Sequence, residues 1–99
     1  MKNLPNIHPG EILQEEFLKP LGISAYRLSK EIYIPHTRIS EIVKCKRRIT
    51  TDIALRFSKY IGNSPKFWLG LQDDYDIEEE RISKKKEFDN ITKFKQTAA

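Results

Sequence analysis

The sequence predicts an all-α protein, with five short helices in residues 1–77 and a charged extension in residues 78–99 that we also expect to be helical. Apolar residues recur at helical spacing, and proline, glycine or capping residues separate the segments. A chain of 99 residues buries only a modest core, which short helices readily enclose. The predicted helices cover about residues 9–19, 24–32, 36–44, 51–61 and 65–75.

The first predicted helix begins at Pro9, because a proline in the first turn loses no helical hydrogen bond. Pro20 and Gly22 end it. Its buried side consists of Ile12, Leu13, Phe17 and Leu18. The preceding residues 1–8 contain asparagine and proline, which disfavour regular structure, so we expect an irregular arm there.

The second and third helices form a predicted helix-turn-helix. Ser24 caps the second helix, and Pro35 ends it because the residue before a proline is pushed out of the α region. Pro35 then opens the third helix. The connection is so short that the helices must meet at a sharp corner, and Ser29 is small where they would cross.

The outward face of the third helix predicts a contact with DNA. Its polar residues fall at positions i, i+3, i+4 and i+7, namely Thr37, Ser40, Glu41 and Lys44, and His36 and Arg38 flank them. A basic cluster follows where a DNA backbone would pass, made of Lys44, Lys46, Arg47 and Arg48. An ordinary solvated face is the alternative. The corner and the basic cluster together favour a recognition helix presented to the major groove.

The fourth and fifth helices complete the predicted domain. Thr50 or Thr51 caps the fourth helix, and Gly62 ends it in the left-handed conformation. Ser64 and Pro65 start the fifth helix, whose apolar residues occupy more than one face. We therefore expect a homodimer interface formed by Phe67, Trp68, Leu71 and Tyr75. A dimer also suits DNA binding, because one recognition helix covers only a half-site.

The net charge of +4 is unevenly distributed. Basic residues dominate positions 27–59, whereas positions 73–80 are acidic, a pattern that suits an anionic partner on one face and a different contact elsewhere. In the extension, glutamates at 78–80 precede lysines at 84–86, which supports an exposed helix. Its apolar residues are too sparse for a core, so we expect the extension to be ordered only if it docks on something, with a frayed end at 96–99.

The composition argues against several classes of function. Cys45 is the only cysteine and the two histidines are far apart, so we expect neither a disulfide nor a metal site. The sequence contains no phosphate-binding loop, nucleophile elbow or acid–base pair, so we expect no enzymatic activity and no cofactor. It also contains no apolar run of membrane-spanning length and no signal-peptide core, so we expect a cytoplasmic protein.

Four motifs carry a family resemblance, namely His8-Pro9-Gly10-Glu11, Phe67-Trp68-Leu69, Leu71-Gln72 and Tyr75-Asp76. With the helix-turn-helix between them, residues 7–78 resemble the HigA/VapI-type antitoxins of bacterial toxin–antitoxin modules, a branch of the phage-repressor-like (Xre) family. The resemblance implies a five-helix, dimeric repressor of its own operon. It also implies that the protein neutralises a small toxin, typically a RelE-like mRNA interferase.

The resemblance assigns roles on double-stranded operator DNA. The expected base-reading residues are His36, Thr37 and Glu41. Backbone contacts position the protein without reading sequence, and the resemblance implies them at Arg38, Lys44, Lys46 and the neighbours of the Ser24 helix start. From the charge pattern and the outward helix face we also expect them at Arg27, Ser40, Arg47 and Arg48. A glutamate can accept from cytosine N4, but it also repels phosphate. Glu41 is therefore either a specific reader or a partner of Lys44 or Arg38.

The chain departs from the family at two turns. The family usually has glycine in the corner between the two helices and after the recognition helix, where this chain has Tyr33 and Cys45. Glycine serves there because positive φ is cheap without a Cβ. Either these two turns are slightly strained, or the chain turns by another geometry.

Two other functions remain open from the sequence. One is a phage-type repressor without a toxin partner, and the other is a toxin-binding module with weak DNA binding. The operator, its half-site spacing and the toxin do not follow from the sequence. The arm, the aromatic last helix and the acidic segment are all candidates for the toxin-binding surface. We favour an acidic contact from residues 73–80 against a basic toxin.

Overall fold

The computed structural model describes residues 6–95, and in that part of the chain six helices account for the regular structure. Helix α1 covers residues 9–21, and the others are α2 (Ala25–Ile32), α3 (His36–Val43), α4 (Thr51–Ile61), α5 (Pro65–Ser83) and α6 (Lys85–Asp89). None of these helices is long and apolar enough to cross a membrane. Most of the expected N-terminal arm and the expected frayed end at 96–99 lie outside the described residues.

Helix α1 is widened in its middle. It runs as a regular α-helix over Pro9–Ile12, widens to π-helical turns over Leu13–Leu18 and returns to α-helix over Lys19–Leu21. The wide turns come directly before Pro20, which has no N–H and whose ring would clash with the carbonyl four residues earlier in a regular helix. Pro20 therefore lies inside the helix, and the left-handed Gly22 ends it.

Side-chain caps start three of the helices that follow. The Ser24 hydroxyl accepts from the Arg27 N–H at 3.0 Å and starts α2. Of the two candidate threonines, Thr50 is the cap of α4, and it accepts from the N–H of Ile53. Ser64 caps α5. Each cap satisfies one of the N–H groups that a helix start leaves without an intrahelical partner.

One core joins α1 through α5. The buried apolar residues are Leu13, Leu18, Leu28, Ile32, Ile34, Ile39, Ile42, Ile49, Ile53, Ala54, Phe57 and Trp68. Arg56 of α4 braces the corner of the helix-turn-helix, because its Nη1 donates to the Ile32 carbonyl at 2.8 Å. The same guanidinium pairs with Asp52 at 2.9 Å. A cation at a helix C-terminus is favourable because the free carbonyls there carry partial negative charge.

Trp68 corrects one prediction of the sequence analysis. Its side chain is fully buried inside this chain, so it is not available to a dimer interface. Its ring packs 5.1 Å from both Phe17 and Phe57, and its indole N–H donates to Asn63 at 3.1 Å. These partners come from α1, α4 and the α4–α5 turn. The apolar pattern of α5 alone could not show which elements would cover this ring.

Helix α5 continues to Ser83, well past the end predicted near residue 75. No proline or glycine interrupts residues 71–83, and ion pairs one helical turn apart join Glu78 to Arg81 and Glu80 to Lys84. Such exposed pairs stabilise a helix by a few tenths of a kcal/mol each, about 0.2–0.5 kcal/mol. Within the extension the chain is helical over 78–83 and Lys85–Asp89, as predicted, whereas residues 90–95 are not helical. Ile77, Ile82 and Phe88 are exposed along this part of the chain.

Candidate nucleic-acid interface

Helix α3 presents its polar face outward. Ile39 and Ile42 are completely buried, which fixes the rotation of the helix about its axis. His36 and Thr37 are consequently exposed at its first turn. Half-buried positions follow along the outward side at Arg38, Ser40 and Glu41, and the exposed Lys44 ends the row. The predicted base-reading residues thus share one accessible face.

The start of α3 is open. Pro35 precedes the helix with an extended backbone and supplies no side-chain cap. The first N–H groups of a helix have no intrahelical acceptor, and the helix dipole gives them partial positive charge. Those N–H groups, at His36 and Thr37, are therefore well suited to contact phosphate or a base-edge acceptor.

Both turns flanking α3 use the left-handed conformation. Tyr33 has φ 60° and Cys45 has φ 63°, so these residues adopt the geometry for which glycine is favoured. After Cys45 the chain forms a Schellman motif, in which the Lys46 N–H donates to the Glu41 carbonyl at 2.8 Å. Of the two possibilities raised by the sequence, strain is therefore correct, at roughly 1–2 kcal/mol for each residue.

Glu41 pairs with Arg47 rather than with Lys44 or Arg38. The Arg47 Nε lies 2.7 Å from a Glu41 carboxylate oxygen. Both side chains are about half exposed, at 48% and 46%, so the pair contributes only about 0–1 kcal/mol to stability. Its main effect is electrostatic, because Arg47 compensates a carboxylate that would otherwise repel phosphate from the outward face of α3.

The cations of the interface differ in their availability. Arg48 pairs with Asp76 of α5, and Arg27 lies 3.8 Å from Glu31. Within residues 6–95, the cations of the interface that have no carboxylate within 4.0 Å are Arg38, Lys44 and Lys46. These three are the best placed to neutralise phosphates, because they lose no ion pair in doing so.

Gln72 anchors the basic cluster to α5, a role that is not among the predictions from the sequence. Its side chain is only 2% exposed. Its Oε1 accepts from the Ile49 N–H at 2.7 Å, and its Nε2 donates to Asp76 at 2.9 Å. Asp76 in turn holds Arg48. A polar residue in the most apolar stretch of the chain was the available signal, because buried amides have specific partners.

The start of α1 supports the end of the recognition helix. A Cβ on Gly10 would lie 1.7 Å from the Ile42 carbonyl oxygen, so only glycine fits this contact. His8 caps α1, with its Nδ1 accepting from the Gly10 N–H at 2.9 Å, and its ring packs 4.8 Å from Tyr75. Burial lowers the pKa of His8, although the nearby Asp76 partly opposes this shift.

The remaining residues of the predicted dimer interface are accessible to different degrees. Phe67 is 41% exposed, whereas Leu71 and Tyr75 are half-buried. Phe67 packs edge-on against Phe17 and Trp68, so one side of its ring belongs to the core. The other side of the ring faces solvent.

Known proteins are similar to this chain in both sequence and fold. No protein-family model matches the chain. Virulence-associated protein I of Dichelobacter nodosus is 50% identical over 74 residues, which span 75% of this chain and 68% of that protein. The structure of an addiction module antidote protein of the HigA family from Coxiella burnetii superimposes with a TM-score of 0.86 at 41% identity. That similarity covers 92% of this chain and 100% of the other. The chain belongs to the HigA family.

The HigA family also includes a protein whose structure contains DNA. Pseudomonas aeruginosa antitoxin HigA, solved with the higBA promoter, is 31% identical to this chain and superimposes with a TM-score of 0.86. The match covers 90% of this chain and 97% of that one. The known relatives named above are antitoxins, antidote or virulence-associated proteins, and none is named as an enzyme.

Proposed function

We propose that this HigA-family chain is a DNA-binding antitoxin that represses its own toxin–antitoxin operon and neutralises the cognate toxin. The observation that carries the proposal is the outward polar face of α3, on a fold shared with an antitoxin solved with a promoter. The start of this helix is open, and Arg38, Lys44 and Lys46 have no carboxylate partner among residues 6–95. Residues 1–77 are the DNA-binding part and residues 78–99 the extension. A protein that represses its own operon in a bacterium acts in the cytoplasm.

On the operator, the start of α3 reads bases and the surrounding cations hold the backbone. Thr37 and His36 are the readers in the first turn, and Glu41 reads one turn later if it leaves Arg47. Each good base contact discriminates by roughly 1–3 kcal/mol. The backbone contacts are those of the basic cluster, the Ser24 helix start, Arg27, Arg38 and Ser40.

The repressor acts as a homodimer. The exposed side of Phe67, with Leu71 and Tyr75, offers an apolar surface on α5 for a second copy. A two-fold dimer presents two recognition helices to the two half-sites of a palindromic operator, about one helical turn apart. Phe67→Asp should therefore reduce both self-association and operator affinity.

The toxin partner is a RelE-like mRNA interferase, as the family resemblance implies, and we propose that it binds through the acidic segment 73–80. Asp73 and Asp74 are exposed and, within residues 6–95, have no cation within 4.0 Å. They remain available to a basic partner. Replacing both with asparagine should weaken toxin binding, and unchanged affinity would refute this contact.

The proposed repression is tested with a reporter placed behind the gene's own upstream region. The parent protein should repress the reporter, and Thr37→Ala should relieve repression without lowering the protein level. Lys59→Ala is the matched control, because Lys59 is an exposed residue of α4 outside the helix-turn-helix. Equal reporter output with and without the parent protein would reject autorepression.

The toxin arm of the proposal is tested separately. The gene next to this one is expressed with and without the antitoxin, and growth is measured. Restored growth and a co-purified complex are the expected results. Growth arrest that the antitoxin does not relieve would instead support a repressor without a toxin partner.

A further inference from the structure

Tyr26 lies in the first turn of α2, and its ring packs against the start of α3. It was not among the predicted DNA contacts. It is the second residue of α2, and its side chain is 54% exposed. Its ring centroid is 5.4 Å from that of His36, and the two rings are inclined at 71°. On the same tyrosine, the Lys30 Nζ lies 5.5 Å from the ring centroid.

This arrangement restrains an exposed side chain at the start of α3. His36 is the first residue of α3, follows a proline and is exposed. Among residues 6–95, Tyr26 is the aromatic side chain whose ring packs against it. An exposed side chain that is ordered before binding loses less conformational entropy when it meets a base.

Two hydrogen bonds in α2 hold the backbone that carries Tyr26. The Ser29 hydroxyl donates to the Tyr26 carbonyl at 2.6 Å, and the Ser24 cap defines the first turn in which Tyr26 lies. Edge-to-face aromatic pairs are favourable beyond the area that they bury, because the positive edge of one ring meets the negative face of the other. A cation near the same ring adds to this restraint.

From this geometry we infer that Tyr26 is a positioning residue for base recognition. Its ring holds the His36 imidazole in place at the first turn of the recognition helix. The inference rests on the proposed operator binding and adds a residue of α2 to the determinants of specificity. Tyr26 acts through His36, so its contribution depends on the presence of the imidazole.

A double-mutant cycle tests this dependence. Dissociation constants are measured on the gene's upstream DNA and on scrambled DNA of equal length for the parent, Tyr26→Ala, His36→Ala and the double variant. Each single change should weaken binding to the upstream DNA, and the double change should weaken it by less than the product. The expected coupling is at most about 13-fold, because the ring cannot favour the held imidazole by more than the strength of an aromatic pair. Affinity for scrambled DNA should not change.

Two further variants distinguish positioning from structural damage. Tyr26→Phe keeps the ring and should bind the upstream DNA as the parent does. Tyr26→Leu keeps apolar bulk without the ring and should weaken this binding as much as Tyr26→Ala does. Tyr33→Ala is the matched control, since Tyr33 is an exposed tyrosine of the same helix-turn-helix that does not pack against His36. In combination with His36→Ala, the fold losses of affinity for the upstream DNA should simply multiply, which means that Tyr33 and His36 are not coupled. If Tyr26→Ala unfolds in a thermal melt, the Tyr26→Leu cycle decides.

The outcomes separate this inference from the proposed function. Preference of the parent for upstream DNA with independent effects of Tyr26 and His36 would overturn the inference alone. An equal loss on upstream and scrambled DNA would also overturn it, because Tyr26 would then contact only the backbone. Absence of any preference in the parent would overturn both.

Discussion

Replacing Gln72 with methionine should separate the basic cluster from α5. Methionine has a similar length and volume, so the packing changes little, but it cannot accept from the Ile49 N–H or donate to Asp76. A buried N–H left without an acceptor costs about 1–3 kcal/mol. The bond to Asp76 adds less than about 1 kcal/mol, because the Asp76 side chain is 39% exposed. The expected loss of stability is therefore about 2 kcal/mol.

Urea unfolding followed by circular dichroism measures this loss, with thermal melting as a second readout. For a domain of this size, about 2 kcal/mol corresponds to a fall in Tm of roughly 8–16 °C. Gln14→Met makes the same change at a half-buried glutamine of α1 and is the control. If the stability loss of Gln72→Met is within about 0.5 kcal/mol of the loss in that control, the proposed anchoring role of Gln72 is wrong. Surface substitutions usually change stability by no more than this amount.

A glutamate at position 72 separates the two hydrogen bonds. Gln72→Glu keeps an oxygen for the Ile49 N–H but places a carboxylate beside Asp76. Two adjacent carboxylates raise the pKa of one of them, so the folded state binds a proton more readily than the unfolded state. The stability of this variant should therefore rise toward that of the parent as the pH falls through the carboxylate range. A variant whose deficit is independent of pH would contradict this assignment.

The close contact of Gly10 and the burial of His8 give two further predictions. Gly10→Ala should destabilise the protein by about 3 kcal/mol or more, because the new Cβ would overlap the Ile42 carbonyl. Gly70 has open space around it, so Gly70→Ala should stabilise the protein by roughly 0.5–1 kcal/mol. Burial lowers the pKa of His8, so its stability contribution is fully present above its unfolded pKa near 6.5 and is lost as the pH falls through the lower folded pKa. His8→Asn should flatten the stability loss that sets in as the pH falls below about 6.5, whereas His36→Asn, which leaves His8 in place, should keep it.

Equilibrium unfolding checks both. Equal stability of Gly10→Ala and the parent would show that α1 does not approach the recognition helix as closely as described. For the histidine, an identical pH dependence in His8→Asn and the parent would show that another group controls the acid limb.

The sequence predicted local structure well where a single residue determines the backbone. The Ser24 cap, the Ser64 cap and the left-handed Gly62 are all confirmed. In each case the chemistry is confined to one helix turn, so sequence neighbours suffice to predict it. The all-α fold class is confirmed for the same reason, because the helical periodicity and the stop signals agree along the chain.

Contacts between distant segments were harder to predict. Trp68 was assigned to a dimer interface because the pattern of α5 does not show that Phe17 and Phe57 enclose it. The same limit applies to the close contact of Gly10 with Ile42. The sequence of the helix start does not show why glycine is needed there, because the neighbouring residue comes from a distant part of the chain. Pairwise partners that are far apart in sequence depend on tertiary packing, which periodicity does not specify.

The candidate site was accessible to prediction because its residues share one helix face. His36 and Thr37 lie on that face, and their roles on DNA remain proposals. The partner of Glu41 was not predicted, because Arg47 reaches it only through the left-handed turn at Cys45. Local spacing along the helix suggested Lys44 or Arg38 instead.

The most direct test of operator recognition is the affinity for the gene's upstream DNA against scrambled DNA, measured by fluorescence anisotropy at two salt concentrations. Specific binding should exceed non-specific binding by about 10³-fold or more. Thr37→Ala should reduce this preference by roughly 5-fold or more. Arg38→Ala should weaken binding to both DNAs and reduce the salt slope by about 0.9. Equal, weak and steeply salt-dependent binding of the parent to both DNAs would contradict operator recognition through α3.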